Sequence, residues 1–394
     1  MTFEIKQAPV FSDGQFSKGD VSFFAEELMA SPTPTADGTS LSIFPGFTDV
    51  HVHFREPGFS YKETIASGSL AAAHGGFTSV CTMPNLSPVP DCKENLDKQL
   101  ALIEAEAMIR VLPFGSITKG EGGLALSDME ALAPYVCGFS DDGRGVDDSA
   151  LMEEAMVRAA MLGKVISAHC EDGTAPKDSP EAEWHEIERD IALAAKTGVK
   201  YHVCHISTKE SVALIREAKA AGVDITAETA PHYLLLTDAM KEDHGNFRMN
   251  PPLREEADRL ALIEGILDGT IDMIATDHAP HSAEEKCRPW AKSLNGVVGL
   301  ETSFPVMYTE FVRSGHLSLA RLVELMSVNP KRRFDIVEDG FTVYDLSEEY
   351  EVRAEDFLSM GKSSPFLGRR VAGRCVATVL GGKAVWFDKN YFSR

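Results

Sequence analysis

The stretch Asp49-Val50-His51-Val52-His53-Phe54-Arg55-Glu56-Pro57-Gly58 sets the architecture of this chain. Phe47, Thr48, Val50, Val52 and Phe54 are good β-formers. Pro45-Gly46 precedes them and Pro57-Gly58 stops the run, so residues 47–54 read as a strand. Side chains alternate along a strand with period two, which places His51 and His53 on one face. Two imidazoles side by side at a strand end make half of a site for a divalent metal. The other half has to come from elsewhere in the sequence.

From Pro45 onward the chain alternates. Apolar, β-rich runs fall at Phe47–Phe54, Phe77–Met83, Ile109–Ile117, Tyr135–Ser140, Lys164–His169, Lys200–His205, Val223–Ala227 and Ile271–Thr276. Segments of helical periodicity lie between them: Tyr61–His74, Asp91–Ala107, a short piece in Ala125–Leu132, Asp148–Leu162, Glu181–Thr197, Ser207–Ala221, Glu255–Leu267 and Glu301–Ser314. Ser207 and Glu210 have the spacing of a capping box, and Gly222 is placed to end that helix. Eight β/α units with near-continuous apolar strands predict a closed parallel (β/α)8 barrel of the TIM type. An open doubly wound sheet is the alternative. Against it, no glycine-rich phosphate loop follows the first strand.

Outside the barrel, the signals are weaker. Phe3–Lys6 and Val21–Phe24 suit short strands, no clear hairpin shows between them, and Ser31–Gly38 has the prolines and glycine of a loop. After Arg332 the pattern changes, with Val371–Leu380, Gly381-Gly382 and Lys383–Trp386 reading as a β-hairpin. The expected division is a barrel over 45–332 and a small β-domain built from residues 1–44 and 333–394.

The 394 residues carry 44% hydrophobic and 25% charged side chains, the balance of an ordinary globular protein. A formal net charge of −22 argues against a general binder of nucleic acid or anionic membrane. Any anionic substrate must therefore meet local arginines. The seven cysteines are scattered without a CxxC, and no signal peptide or membrane-spanning run is visible. This composition fits a reducing cytoplasm.

In such barrels the catalytic groups gather at the C-terminal strand ends. Those ends supply His51 and His53, Asn85, Asp141-Asp142, His169, His205, Glu228 with His232, and Asp277 with His278 and His281. Four histidines and two aspartates, from strands 1, 4, 5, 6 and 8, suit a cage for one or two Zn²⁺ ions. By strand parity, an inward His205 sends Cys204 out into the helix layer, and His202 with it. His232 and His278 fit hydrogen bonding to the ligands. His74, His185, His244 and His316 lie in helices or loops away from these ends.

Several of these stretches are longer and more specific than the ligand pattern alone. Residues 49–58, Met83-Pro84-Asn85, Ala168–Asp172, His205–Thr208, Met249-Asn250-Pro251-Pro252-Leu253-Arg254 and Ala275–His281 resemble the dihydroorotases, and within them the bacterial type I branch of that amidohydrolase family. The resemblance runs from about Pro45 to Pro305. It implies zinc-dependent, reversible hydrolysis of dihydroorotate to N-carbamoyl-L-aspartate, a step of pyrimidine synthesis. It further implies that His51, His53 and Asp277 hold one zinc and that His169 and His205 hold a second. Asp142 would stand between them, where other branches use a carboxylated lysine. Asp277 would serve as general base and then acid. Arg55, Asn85 and His281 would take the substrate carboxylate, with Asn250 and the Asn295-Gly296 backbone reading the ring's amide edge.

The chain departs from the family pattern in a short stretch between Asp172 and His205, a compressed linker into the last hairpin and Asn295, where an aromatic residue is usual. Two other readings stay open. One is a hydantoinase- or allantoinase-like amidase. The other is a non-catalytic relative that supports aspartate carbamoyltransferase, although such proteins usually lack the ligand histidines. A homodimer, or association of an active enzyme with that transferase, is compatible with the sequence. For Arg55, a plain salt bridge to Glu56 or Glu63 is the bland alternative.

Overall fold

A computed structural model of the chain describes residues 2–25, 35–38, 40–337 and 339–392. The alternating pattern folds as a barrel. Its strands are Phe47–Val52, Phe77–Thr82, Arg110–Pro113 continued by Gly115–Ser116, Gly138–Ser140, Val165–Ala168, Lys200–Val203, Ile225–Thr229 and Met273–Ile274. Each is parallel to the next. The third strand breaks at the buried Phe114, one piece pairing with the second strand and the other with the fourth.

The last strand returns to the first. The His53 N–H donates to the His278 carbonyl at 2.8 Å, and the Thr276 N–H donates to the Asp49 carboxylate at 3.1 Å. This closure removes the doubly wound alternative. Val50, Cys81, Phe114, Val165, Met273 and Phe334 fill one buried cluster, and a larger one joins the strands to the helices around them. Phe47, for example, stacks on Phe304 with ring centroids 5.2 Å apart.

Most helices have shorter ends than the predicted segments, while Pro180–Thr197 and Glu256–Asp268 each reach one residue beyond theirs. Ile65–His74 is capped by Thr64, and Ser149–Met161 by Asp148. The segment after Gly120 yields only Met129–Leu132, and Ser303–Met307 widens into a π turn over Tyr308–Val312. The cap of Lys209–Ala220 differs from expectation. Thr208, not Ser207, accepts the helix N–H, from Ser211. The buried Glu183 accounts for the shift, because it accepts the backbone N–H groups of Ser207 and Thr208 and both of their hydroxyls.

The two ends of the chain build one further sheet. Thr2–Ser12 and Gln15–Phe24 form an antiparallel hairpin around Asp13-Gly14, both with positive φ. The sequence reading missed that hairpin. The second strand is largely exposed and carries Lys18, Gly19 and Asp20, so it lacks an apolar stripe. Leu41–Pro45 lies between Thr2–Ser12 and a 12-residue strand, Gly340–Glu351, that was expected only as linker. That strand pairs with Arg370–Leu380, which turns through Gly381-Gly382 into Lys383–Phe387 as predicted.

A pairing of Lys383 with Phe24 closes the ring, around Phe3, Ile5, Phe23, Ile43, Val343 and Val379. Of the loop expected over 31–38, residues 31–34 lie outside the described residues. Thr35–Asp37 is a short strand beside Thr2–Ser12. Among the described residues no helix is long and apolar enough to cross a membrane, and all seven cysteines are unpaired.

Candidate metal centre and active site

The strand ends bring the six predicted ligands together. Asp142 stands at the centre. Its Oδ1 is 3.2 Å from His51 Nε2, 3.5 Å from His205 Nε2 and 3.6 Å from His169 Nδ1, and its Oδ2 is 3.4 Å from His53 Nε2. Asp277 Oδ1 lies 3.1 Å from His53 Nε2 and 3.6 Å from His51 Nε2. The donor atoms fall into two triads that share Asp142: His51 and His53 on one side, His169 and His205 on the other.

All six residues are buried, and His51 Nε2 and Asp142 Oδ1 have no hydrogen-bond partner. Orphaned buried polar atoms are costly, and here both aim at one point, so the residues fit a divalent cation. Imidazole and carboxylate donors are those that zinc takes.

Outer contacts orient three of the four imidazoles, those of His51, His53 and His169. His51 Nδ1 donates to Glu228 Oε1 at 2.7 Å, and His53 Nδ1 donates to Asn85 Oδ1 at 2.9 Å, which turns both Nε2 lone pairs to the cage. His169 is bound through Nε2 to Glu171 Oε2 at 3.1 Å and so presents Nδ1. The electrostatics match a cation site. Burial alone would raise the Asp142 carboxyl, but His51, His169 and His205 hold it well below the usual range. Burial disfavours a charged His169, yet Asp142 and Glu171 push it up to about 10, so the carboxylates around this ring favour a positive charge there, whether a proton or a cation. Burial would likewise raise Asp277, and His53, whose Nε2 lies against its carboxylate, keeps it lowered together with the neighbouring imidazoles.

Parity fails at the end of strand 6, and two expectations fail with it. Cys204 does not point into the helix layer; its thiol lies in a buried group with His51 and Glu228, 3.1 Å from Ser167 Oγ. His202 is not an outer-face residue either: its Nε2 is 3.1 Å from Glu228 Oε2. The regular strand stops at Val203, and His205 has a φ of 29°, so the alternation no longer applies. Arg55 and Asp277 also sit in the left-handed region, at 60° and 48°. Such backbone is expensive for residues other than glycine and is found where the surroundings enforce it.

Beside the cage lies a cavity of about 180 Å³. Arg55, Asn85, Asn250, His281, Asn295 and Gly296 line it together with every cage residue except His51. All the residues expected to meet substrate thus share one wall system. Arg55 does not pair with Glu56 or Glu63. Its Nε donates to the Pro280 carbonyl at 3.3 Å, while Glu56 caps Ile65 N and Glu63 holds Ser67 and Ser359. Gly296 has a φ of 131°, and a Cβ there would meet the Ala279 carbonyl at 2.5 Å, so only glycine fits. His278 holds His53 through its carbonyl, and its Nδ1 accepts from Gly299 N at 3.3 Å. His232 is buried beside the cage, which lowers its ring to about 4. His74, His185, His244 and His316 bond to Glu301, Asp172, Asn246 and Ser314, away from the cage.

Two carboxylates were missed as parts of the site. Glu171 joins His169 to Asn250, whose Nδ2 donates to it at 3.0 Å. Asp49 accepts from His51 N and Thr276 N, stitching strand 1 to strand 8. The available signal was the same for both, an acid two residues from a ligand histidine.

The chain has clear relatives among known proteins. A dihydroorotase of Fusobacterium nucleatum is 46% identical over 98% of this chain and 98% of its own. The chain belongs to the dihydroorotase family. Another family member, the dihydroorotase of Staphylococcus epidermidis, is 48% identical over 88% of both chains, and that of Staphylococcus aureus is 44% identical over 96% and 95%. A family model described as dihydro-orotase-like matches residues 41–186, which include His51, His53, Asp142 and His169.

The family's fold extends further. An L-hydantoinase (dihydropyrimidinase) of Arthrobacter aurescens superposes with a TM-score of 0.85 at 24% identity, over 98% of this chain and 96% of its own. A dihydropyrimidinase of Brevibacillus agri gives 0.83 at 22%, over 99% and 96%.

Proposed function

We propose that this chain is a zinc-dependent dihydroorotase of the bacterial type I branch. It interconverts (S)-dihydroorotate and N-carbamoyl-L-aspartate in pyrimidine synthesis, in the cytoplasm. The observation that carries this reading is the pair of donor triads sharing Asp142, set against a cavity whose wall holds Arg55 and Asn85. In this reading His51, His53 and Asp277 would hold one zinc and His169 and His205 a second, with Asp142 available to both. Bound zinc lowers the pKa of a water molecule and polarises the ring carbonyl.

The remaining work falls to the chain itself. Arg55 forks onto the substrate carboxylate, and Asn85, whose Oδ1 is committed to His53, offers its Nδ2 to the same group. Asn250 and the Asn295-Gly296 backbone read the ring amide. Asp277, ionised at neutral pH, takes the proton of the attacking water and returns it to the departing ring nitrogen. The barrel of 45–332 would carry all of these groups, and the β-domain of 1–44 and 333–394 none. A homodimer and association with aspartate carbamoyltransferase belong to the same reading as further expectations.

The test is a metal assay of the purified protein joined to turnover of dihydroorotate, allantoin and a hydantoin side by side. Bound zinc, chelator-sensitive turnover of dihydroorotate alone, and its loss in Arg55→Ala are expected. Activity that survives complete metal removal would sink the mechanism. Arg55→Ala acting normally on a hydantoin would favour the ureide amidases.

A further inference from the structure

His281 has both ring nitrogens engaged, and the partners differ in kind. Nε2 lies 2.7 Å from the Asn295 carbonyl oxygen, which only accepts. Nε2 therefore carries the hydrogen. Nδ1 lies 3.1 Å from Nζ of Lys62, which only donates, so Nδ1 presents its lone pair. The ring is neutral and in one defined tautomer.

Lys62 is itself fixed. Its ammonium is 3.1 Å from Glu285 Oε1, its side chain is 11% exposed, and it lies over the rings of Phe59 and Tyr61. Tyr61 OH donates to the same Glu285 oxygen at 3.2 Å. Lys62 does not line the cavity; it stands behind His281.

The competing arrangement can be weighed. Glu285 Oε2 is 3.4 Å from His281 Nδ1 and, without Lys62, would draw a proton onto that nitrogen. That oxygen already takes the Ser282 N–H at 3.0 Å. A proton on Nδ1 would also make an imidazolium facing Lys62 on one side and Arg55 on the other, whose Nη2 is 3.4 Å from Nε2. Lys286, in the short helix Ala283–Lys286, acts on the ring in the same sense. Burial, Arg55 and Lys62 together lower the ring to about 3.

We propose that Lys62 is a positioning residue that keeps His281 neutral with its hydrogen on Nε2, beside Arg55, at the end of the cavity that receives the substrate carboxylate. The proposal rests on the dihydroorotase reading for the identity of that anion. A carboxylate arriving at Arg55 competes with the Asn295 carbonyl for the Nε2 hydrogen, and the ammonium behind the ring strengthens that donor. Lys62 then acts on binding more than on the chemical step.

The experiment compares zinc-loaded wild type, Lys62→Met and Lys62→Arg, with zinc content checked in each. For Lys62→Met, KM for dihydroorotate should rise about tenfold with kcat within about twofold, as happens when ground state and transition state are weakened equally. Lys62→Arg should recover most of the deficit. Imidazole ¹⁵N spectra, with His281 assigned by His281→Gln, should show hydrogen on Nε2 alone from pH 5 to about 9 in wild type. In Lys62→Met the ring should gain a second proton within that range. Unchanged KM in Lys62→Met, an equal fall in kcat, or a wild-type ring with hydrogen on Nδ1 would overturn the proposal. If wild type fails to hydrolyse dihydroorotate, the functional reading falls by itself, and the spectra still decide whether Lys62 sets the state of the ring.

Discussion

Asp277 bears two demands at once. Its Oδ1 reaches His53 and His51 in the cage, and its carboxylate must also shuttle a proton in the proposed reaction. Asp277→Asn keeps the shape but removes the basic carboxylate. kcat for dihydroorotate is expected to fall by about 10²–10⁴, the usual worth of a positioned base. Zinc should stay on the His169–His205 side. A loss of less than about tenfold in a steady-state assay would take the proton-transfer role from this residue.

At this scale the sequence was most legible for the donors that meet in the cage, since His51, His53, Asp142, His169, His205 and Asp277 each stand at the end of an apolar run. It was least legible where the backbone leaves the strand. His205 and Cys204 were assigned by alternation, and a φ of 29° at His205 cancels alternation there. No local sequence signal encodes that conformation, because the surrounding barrel enforces it.

Between the elements, the loops that line the cavity are tied by one buried lysine. Lys286 is 2% exposed, and its Nζ donates to the Arg248 carbonyl at 3.0 Å and to the Leu294 carbonyl at 2.8 Å. It therefore couples the segment carrying Asn250 to the one carrying Asn295-Gly296. Burial above all, then the nearby Arg248, lowers its ammonium from 10.5 to about 7, with Glu285 opposing.

Between pH about 7 and 10.5 the unfolded chain binds more protons at this group than the folded one, so stability contributed here rises with pH across that window. Below about pH 7 both states are protonated and the whole burial cost is felt. Urea denaturation of wild type and Lys286→Met at pH 6.5 and about 9 should show wild type gaining on the variant at the higher pH. A difference that does not move with pH would rule this out. Lys286 lay outside the sequence reading because a lysine in Ala283–Lys286 looks like any exposed helix charge. Only the packing of two distant loops over it makes it buried.

For the whole molecule, the question is what seats the C-terminal segment on the barrel. Two acids do so. Glu63 is fully buried and accepts from Ser67 Oγ, Ser359 Oγ and Met360 N. Glu301 accepts from Leu358 N at 2.7 Å, Ser359 N at 3.2 Å and His74 Nδ1 at 2.6 Å. Glu63→Ala leaves several buried donors unpaired at once, at a cost of about 2–4 kcal/mol. A urea midpoint that falls by the equivalent of less than about 1 kcal/mol would contradict this anchoring.

The barrel was readable as a whole from its period. The outer sheet was readable only in part: its origin in both chain ends and its last hairpin were expected, but the first hairpin and the strand Gly340–Glu351 were not. Gly340–Glu351 finishes in an acidic stretch that resembles a linker until Arg370–Leu380 is laid against it.

That sheet also imposes an order on synthesis. Leu41–Pro45 is almost wholly enclosed in the finished molecule, and the neighbour on one of its sides is Gly340–Glu351. A ribosome adding about 5–20 residues per second needs on the order of 15–60 s to travel from one to the other. Throughout that interval the nascent chain carries Leu41, Ile43 and Phe44 with their later partner still untranslated, while the barrel between them can already assemble. The newborn protein therefore passes through a stage in which its first strands are the sticky ones, and this is the stage at which a chaperone would have most to hold.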